Sequence, residues 1–389
     1  MTDAARTIYR VAVVLSGREA YGIRQSLLTQ RTAAERHGVR FEYVCLRRGP
    51  LCEAIEQAGS PVTVCGGDVP QRLSLGPVLT YARWLLPGGG FGQALRGVRR
   101  YLQTHDVDVV YSHSPNMHLV CGLAVRSASC RAVGHVHGPL NPRRLLGINR
   151  ALYCAMMHRM LDAIVTISHY ARGTLCGAAR RRSVMVYNGG DLQAIHRHAR
   201  SCPVDGNTLV LVGRLVDWKK QALAIRALHL LRDEFPDSTL EFLGGPVDAA
   251  NAYCVELQAL VDALGLTDRI RFRGEISPPY DPVAAATICV SCATMEAFGN
   301  AVLEAMALQT PVIVADRSAP AEFVRDGVTG LHYEADNPEA LAAAIRRILR
   351  DPDLGRRLAD AAWEDIRRPF DIDTHMERMR NVFSSVCDR

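Results

Sequence analysis

The chain has 389 residues, with 46 Lys and Arg against 40 Asp and Glu and a formal charge of +6. A hydrophobic share of 48% and a charged share of 22% exclude a disordered chain and fit a globular enzyme of two or three domains. So mild a basic excess does not call for nucleic acid; it fits anionic ligands or an anionic membrane surface better than a cationic partner.

The apolar core near the N-terminus, Val11 to Leu15, is too short for a secretory signal. No run reaches the roughly 18 apolar residues of a spanning helix. A cytoplasmic location is therefore expected, with peripheral contact at the inner face of a membrane as the one addition the basic runs invite. Twelve cysteines are scattered along the chain. Only Cys289 and Cys292 form a C-x-x-C, and no second pair completes a zinc site, so reduced buried thiols are expected.

In chain order, Tyr9–Leu15 reads as a first parallel strand ending in Ser16-Gly17. A loop over 18–23 containing Gly22 precedes a helix from about Arg24 to Arg36. Strand, glycine loop and helix is the phosphate-approach geometry of open α/β sheets, although a plain turn has the same signature. Further strands are predicted at 41–46, 61–65, 107–111, 132–136, 163–167 and 184–187, with helical patterns between them. That alternation predicts a parallel sheet with helices on both faces. Basic runs at 85–98, Arg143-Arg144 and Arg180-Arg181-Arg182 read as solvated faces, or as contacts for an acidic membrane or a phosphate-bearing acceptor.

Two strand ends carry polar clusters: Tyr111-Ser112-His113-Ser114, and His135-Val136-His137-Gly138. Ligands in such sheets bind beyond the carboxyl ends of the strands, which places His137 toward a cleft. His135 and His137 share one side of a strand, so an H-x-H metal pair is conceivable, but the sequence offers no evident third ligand. Tyr187-Asn188-Gly189-Gly190-Asp191 is turn chemistry, and the polar stretch 196–207 reads as a connection between domains.

The second half restarts with a strand, Thr208–Val212, then Gly213-Arg214 and Lys219-Lys220 ahead of a helix over 221–233. Cations at a helix start oppose its dipole, so an anion between Arg214 and Lys219 is expected. Strands are predicted at 240–243, 270–273 and 288–291. The segment Met295–Ala315 then reads as loop, helix and buried strand, with Asn300 as a cap. Glu296 and Glu304 stand eight residues apart across the helix start, roughly 12 Å if helical. The helix N-terminus between them suits an elongated polar ligand with an anionic centre. A strand over 331–333 and helices over 338–350, 352–367 and about 373–386 complete the chain.

The Glu296-x7-Glu304 motif within EAFGNAVLEAMA, together with GRLVDWKK, VYNGGD and PVIVADRSAPAEFVRDGVTGLHY, resembles the retaining glycosyltransferases of family four. The resemblance implies an α/β fold of GT-B type, with two Rossmann-like doubly wound domains facing a central cleft. It implies an N-terminal acceptor-side domain over 1–190, a nucleotide-sugar donor domain over 191–370, and a last helix over 371–389 crossing back. Glu296 and His137 would serve the reacting sugar. Glu304 would bind ribose hydroxyls, and Arg214 and Lys219 the diphosphate. The backbone of Phe298, Gly299, Asn300 and Ala301, with Gly22, would assist.

Three departures from the family pattern stand out: Ser318-Ala319 and Lys220 replace common glycines, and Tyr21 precedes Gly22 where a second glycine is usual. The implied activity is transfer of a sugar from a nucleoside diphosphate, UDP ahead of GDP, to a hydroxyl on a glycan, glycolipid or small molecule. No metal or other cofactor is expected. The alternatives are a sugar-nucleotide epimerase and a noncatalytic nucleotide-sugar-binding protein. A nicotinamide dehydrogenase would need G-x-G-x-x-G and a P-loop enzyme G-x-x-x-x-G-K-[ST], and neither is present.

Overall fold

The computed structural model describes residues 8–17, 19, 21–67, 90–140, 148–199, 206–245 and 252–388. They fall into two compact units, Met1–Gly190 with Ile372–Arg389, and Asp191–Asp371.

The first unit is built on strands β1 (Tyr9–Leu15), β2 (Val39–Cys45), β3 (Val62–Val64), β4 (Val109–Ser112), β5 (Arg131–Val136), β6 (Ala163–Thr166) and β7 (Ser183–Met185). They form one sheet in the order β3-β2-β1-β4-β5-β6-β7. Every neighbour pairs parallel. Val11, Val13 and Leu15 enter one core, and Ala12 and Val14 another. Helices cover both faces, which is why β1 is a continuous apolar run rather than an alternating one. The terminal helix Ile372–Cys387 buries Met376, Met379, Phe383 and Val386 in the first of those cores. Asp373 anchors its start by accepting from Arg36 and His37.

The second unit carries β8 (Thr208–Val212), β9 (Thr239–Leu243), β10 (Ile270–Phe272), β11 (Ile288–Ser291), β12 (Val312–Ala315) and β13 (Leu331–Tyr333). Their order is β10-β9-β8-β11-β12-β13, again all parallel. Each sheet is thus the doubly wound, Rossmann-like type, with strand order reversing at β1/β4 and at β8/β11.

Local readings differ in three places. The first helix begins at Tyr21, not near Arg24, so Gly22 lies in its first turn rather than in a loop. The chain turns earlier, because the Glu19 carboxylate accepts the backbone N–H groups of Ser16 and Gly17. The glycine that backbone geometry demands there is Gly17, at φ 90°, where a Cβ would lie 2.1 Å from the Arg47 carbonyl oxygen. Arg182 is not part of a free basic face: it donates to the carbonyls of His158 and Asp162 at 2.8 and 2.9 Å. The basic pattern at 85–98 becomes a helix over Gly90–Thr104. Its preceding Pro87-Gly88-Gly89, like Arg143-Arg144, lies outside the described residues. Cys289 and Cys292 are buried, and burial pushes both thiols up to about 12.

Gly244 follows β9 at φ 155°, and a Cβ there would lie 2.2 Å from the Gly213 carbonyl oxygen. Gly244→Ala is expected to cost about 2–4 kcal/mol through strain and displaced backbone, read as a lower urea midpoint with an unchanged slope.

Candidate active site

In open α/β sheets the crevice for ligands lies beyond the strand C-termini where the strand order reverses. In the second unit that place is set by β8 and β11. Gly213-Arg214 leaves β8, and the loop carrying Glu296 follows β11. Gly213 stands at φ 148°, and the Lys219 side chain lies over it, its Cε 3.2 Å from where a Cβ would be. Lys219 Nζ donates to Glu296 Oε2 in a short ion pair, and it lies 4.8 Å from the Trp218 ring centroid. Glu296 in turn touches the next glycine: its Cγ is 3.5 Å from a Cβ built on Gly299. Gly213, Lys219, Glu296 and Gly299 therefore share one spot. The anion expected beside Lys219 is, in this structure, the Glu296 carboxylate.

Gly299, at φ 95°, caps the helix Asn300–Ala307, so Asn300 is the first helical residue rather than the cap. A Cβ on Gly299 would lie 2.6 Å from the Pro320 ring, so only glycine fits. Val302 and Leu303 donate to the Gly299 carbonyl. The amides of Asn300 and Ala301 are those an α-helix leaves without an intrahelical acceptor. The Phe298 side chain does not line the site. It is buried against Phe323 and Phe370, with ring centroids at 5.4 and 6.1 Å, and pins the helix start. The Ala319 N–H donates to the Glu296 carbonyl at 3.2 Å, holding the loop from the other side. Ser318 is extended at φ −138°, so its replacement of a glycine strains nothing. Lys220 is different. It stands at φ 57°, in the left-handed region where the family glycine would be strain-free.

The Arg214 guanidinium is exposed and has no protein partner among the described residues. Its carbonyl is held by Gln221 Nε2 at 2.9 Å. Glu304, one helical turn above the tip, is half-buried with no carboxylate partner among the described residues. Burial pushes its pKa up to about 7.

In the first unit the register pairs Ser112 of β4 with Gly134 of β5, which brings the two strand-end clusters together. His113 Nδ1 and His137 Nε2 share a hydrogen bond of 2.7 Å. Tyr111 Oη and His135 Nδ1 share another. The H-x-H pair thus has a third member that no spacing along the chain revealed: ligand atoms of His113, His135 and His137 lie within 4.8 Å of one another. The signal that could have found His113 was the matching polar end of an adjacent strand. Burial, reinforced by neighbouring histidines, pulls His137 down to about 3 and His113 and His135 well below the ordinary imidazole range. All three are neutral at pH 7. The Nε2 atoms of His113 and His135 are buried without a hydrogen-bond partner, each costing about 1–3 kcal/mol if nothing fills the place. Gly22 is exposed in its helix, and a Cβ there would meet nothing within 4 Å.

Glu304→Gln tests the enclosure of that carboxyl. A folded pKa of about 7 against an ordinary 4.5 means the unfolded chain releases the proton first. The resulting penalty is absent below about pH 4.5 and grows as pH rises toward 7. The variant is expected to melt a few degrees higher than wild type at pH 8, with little difference at pH 5, in ligand-free thermal scans.

Two family models match the chain: "Glycosyltransferase Family 4" over residues 22–194 and "Glycosyl transferases group 1" over 194–365. The phosphatidyl-myo-inositol mannosyltransferase of Mycobacterium leprae is 28% identical over 296 residues, covering 75% of this chain and 76% of the relative. The D-inositol 3-phosphate glycosyltransferase of Streptomyces coelicolor is 32% identical over 179 residues, covering 44% of this chain and 39% of its own. Among solved structures, Anabaena HepE in complex with UDP aligns with a TM-score of 0.80 at 22% identity, over 97% of this chain and all of that one. Sucrose-phosphate synthase from Thermosynechococcus elongatus aligns at 0.73 and 17% identity, over 97% and 99%. The fold is that of GT-B glycosyltransferases. With both halves matched by glycosyltransferase models and its relatives named for sugar transfer, this chain belongs to the family-four glycosyltransferases.

Proposed function

We propose that the second unit binds a nucleotide-sugar, UDP-linked ahead of GDP-linked, and that the enzyme transfers its sugar with retention to an acceptor hydroxyl, without a metal in the donor site. The observation that carries this reading is the grouping of Lys219, Glu296 and Gly299 at a helix tip, beside an exposed Arg214 with no protein partner. The HepE structures contain UDP and UDP-glucose, which supports a uridine donor here.

The chemistry follows from charge. The leaving group is a diphosphate, and the chief demand is to stabilise the negative charge it gains. Arg214, Lys219 and the amides at the start of the helix Asn300–Ala307 supply positive potential from three directions. Donor binding draws Lys219 toward phosphate and releases Glu296 to the sugar hydroxyls. Glu304, unpartnered and with a pKa near neutrality, ionises as ribose hydroxyls donate to it. The departing phosphate oxygen takes the acceptor proton on the face the leaving group vacates, which keeps the anomeric configuration.

Glycans, glycolipids and small polyols all present suitable acceptor hydroxyls. The two relatives named for phosphorylated inositols favour an acceptor that carries phosphate. No helix among the described residues is long and apolar enough to cross a membrane.

UDP and UDP-glucose are expected to raise the melting temperature by mass action, and Arg214→Ala to abolish the rise. Glu296→Ala should lower kcat roughly a hundredfold or more while the ligand-free protein stays folded. Both are read with radiolabelled donor, far-UV circular dichroism and thermal shift. No shift with any UDP-, GDP- or ADP-sugar at millimolar concentration would overturn the donor assignment. Epimerised donor formed without acceptor would replace transfer by isomerisation.

A further inference from the structure

We propose that His113, His135 and His137 of the first unit form a three-imidazole site for a divalent transition-metal cation of the zinc class. His113 leaves the end of β4, while His135 and His137 straddle the end of β5. The parallel register of these neighbouring strands brings the three rings together. One ligand nitrogen from each lies within 4.8 Å of the other two. The His135 and His137 ring centroids are 4.2 Å apart, and those of His113 and His137 5.0 Å.

The hydrogen bonds leave this group incomplete. His113 is 3% exposed and His135 is fully buried, yet the Nε2 of each has no partner. A cation that accepts one lone pair from each ring would complete the group, since the three ligand nitrogens already lie within 4.8 Å of one another. Imidazole donors suit Zn2+, Co2+, Ni2+ and Cu2+ and disfavour Mg2+ and Ca2+, which take oxygen ligands.

Tyr111 supplies the outer support. When His135 donates its Nδ1 hydrogen to the Tyr111 oxygen, Nε2 carries the free lone pair, and the ring is held in that tautomer. Phe383 fixes Tyr111 from the far side, edge to face at 5.5 Å between centroids. Tetrahedral Zn–N bonds of about 2.0–2.1 Å place nitrogens about 3.4 Å apart, so the rings close inward by about an ångström. The bond between His113 and His137 gives way as they do. Three histidines leave a fourth position for water.

Binding is independent of the donor reaction.

The experiment titrates metal-free enzyme with Co2+, with no nucleotide or acceptor present. One equivalent is expected to bind with visible ligand-field bands, which Zn2+ then displaces. His135→Asn and His113→Asn, each checked for fold by circular dichroism, should weaken binding by more than the roughly 10–100-fold that loss of an outer-shell partner costs. Absence of stoichiometric binding at micromolar metal, or bands unchanged in both variants, would overturn the site. If neither variant folds, X-ray absorption at the zinc edge of the wild-type complex decides. Three imidazoles are expected, and sulfur ligation or fewer than three imidazoles would sink the proposal.

Discussion

The ion pair between Lys219 and Glu296 is the contact on which the proposed donor site depends. It joins the segment that leaves β8 to the loop that follows β11. Those two strands are neighbours only because the sheet reverses its order between them. Both side chains are largely enclosed, at 17% and 16% exposure, so removing either partner leaves the other charge without compensation in a poorly solvated place. The pair therefore holds the empty site in register. On the function proposed above, it also stores within the chain the two charges that a nucleotide-sugar would separate, phosphate competing for the lysine and sugar hydroxyls for the glutamate.

Glycines set the distances around that pair. Gly213 lets the Lys219 stem lie against backbone, Gly244 lets the next strand end approach Gly213, and Gly299 lets Pro320 close on the helix tip. Each stands at positive φ, where a Cβ would strike backbone or side chain. Phe298 supplies the opposite constraint. Its buried ring, packed on Phe323 and Phe370, ties the helix start to the core. These contacts fix the backbone around the ion pair, and the exposed Arg214 is the one cation of this group with no partner among the described residues.

The first unit handles polarity in another way. Burial keeps its clustered histidines neutral and leaves two ring nitrogens unsatisfied. Buried ring nitrogens without a partner cost free energy, and their gathering at the ends of β4 and β5 is what the proposed cation site rests on. The C-terminal helix contributes from the far end of the sequence, because Phe383 seats the tyrosine that orients His135.

Much of this was legible in the sequence. Thr208–Val212, Ile288–Ser291 and Leu331–Tyr333 are strands at the expected bounds, because an apolar run between turn residues is a local signal. The parallel class followed from strands alternating with helices. The carboxylates on either side of a helix start could be placed by spacing alone, as could the Gly-Arg loop after β8. What periodicity could not supply was partnership. Neither the pairing of Lys219 with Glu296, 77 residues away, nor the arrival of His113 beside His135 and His137 is written in any one segment. Both depend on which strands are neighbours and in what register. The fit of Pro320 against the cap at Gly299 and the structural use of Arg182 were likewise settled by contacts from elsewhere. Secondary structure is a property of ten or so consecutive residues, whereas a site is a property of strand order, and only the closed sheets determine that.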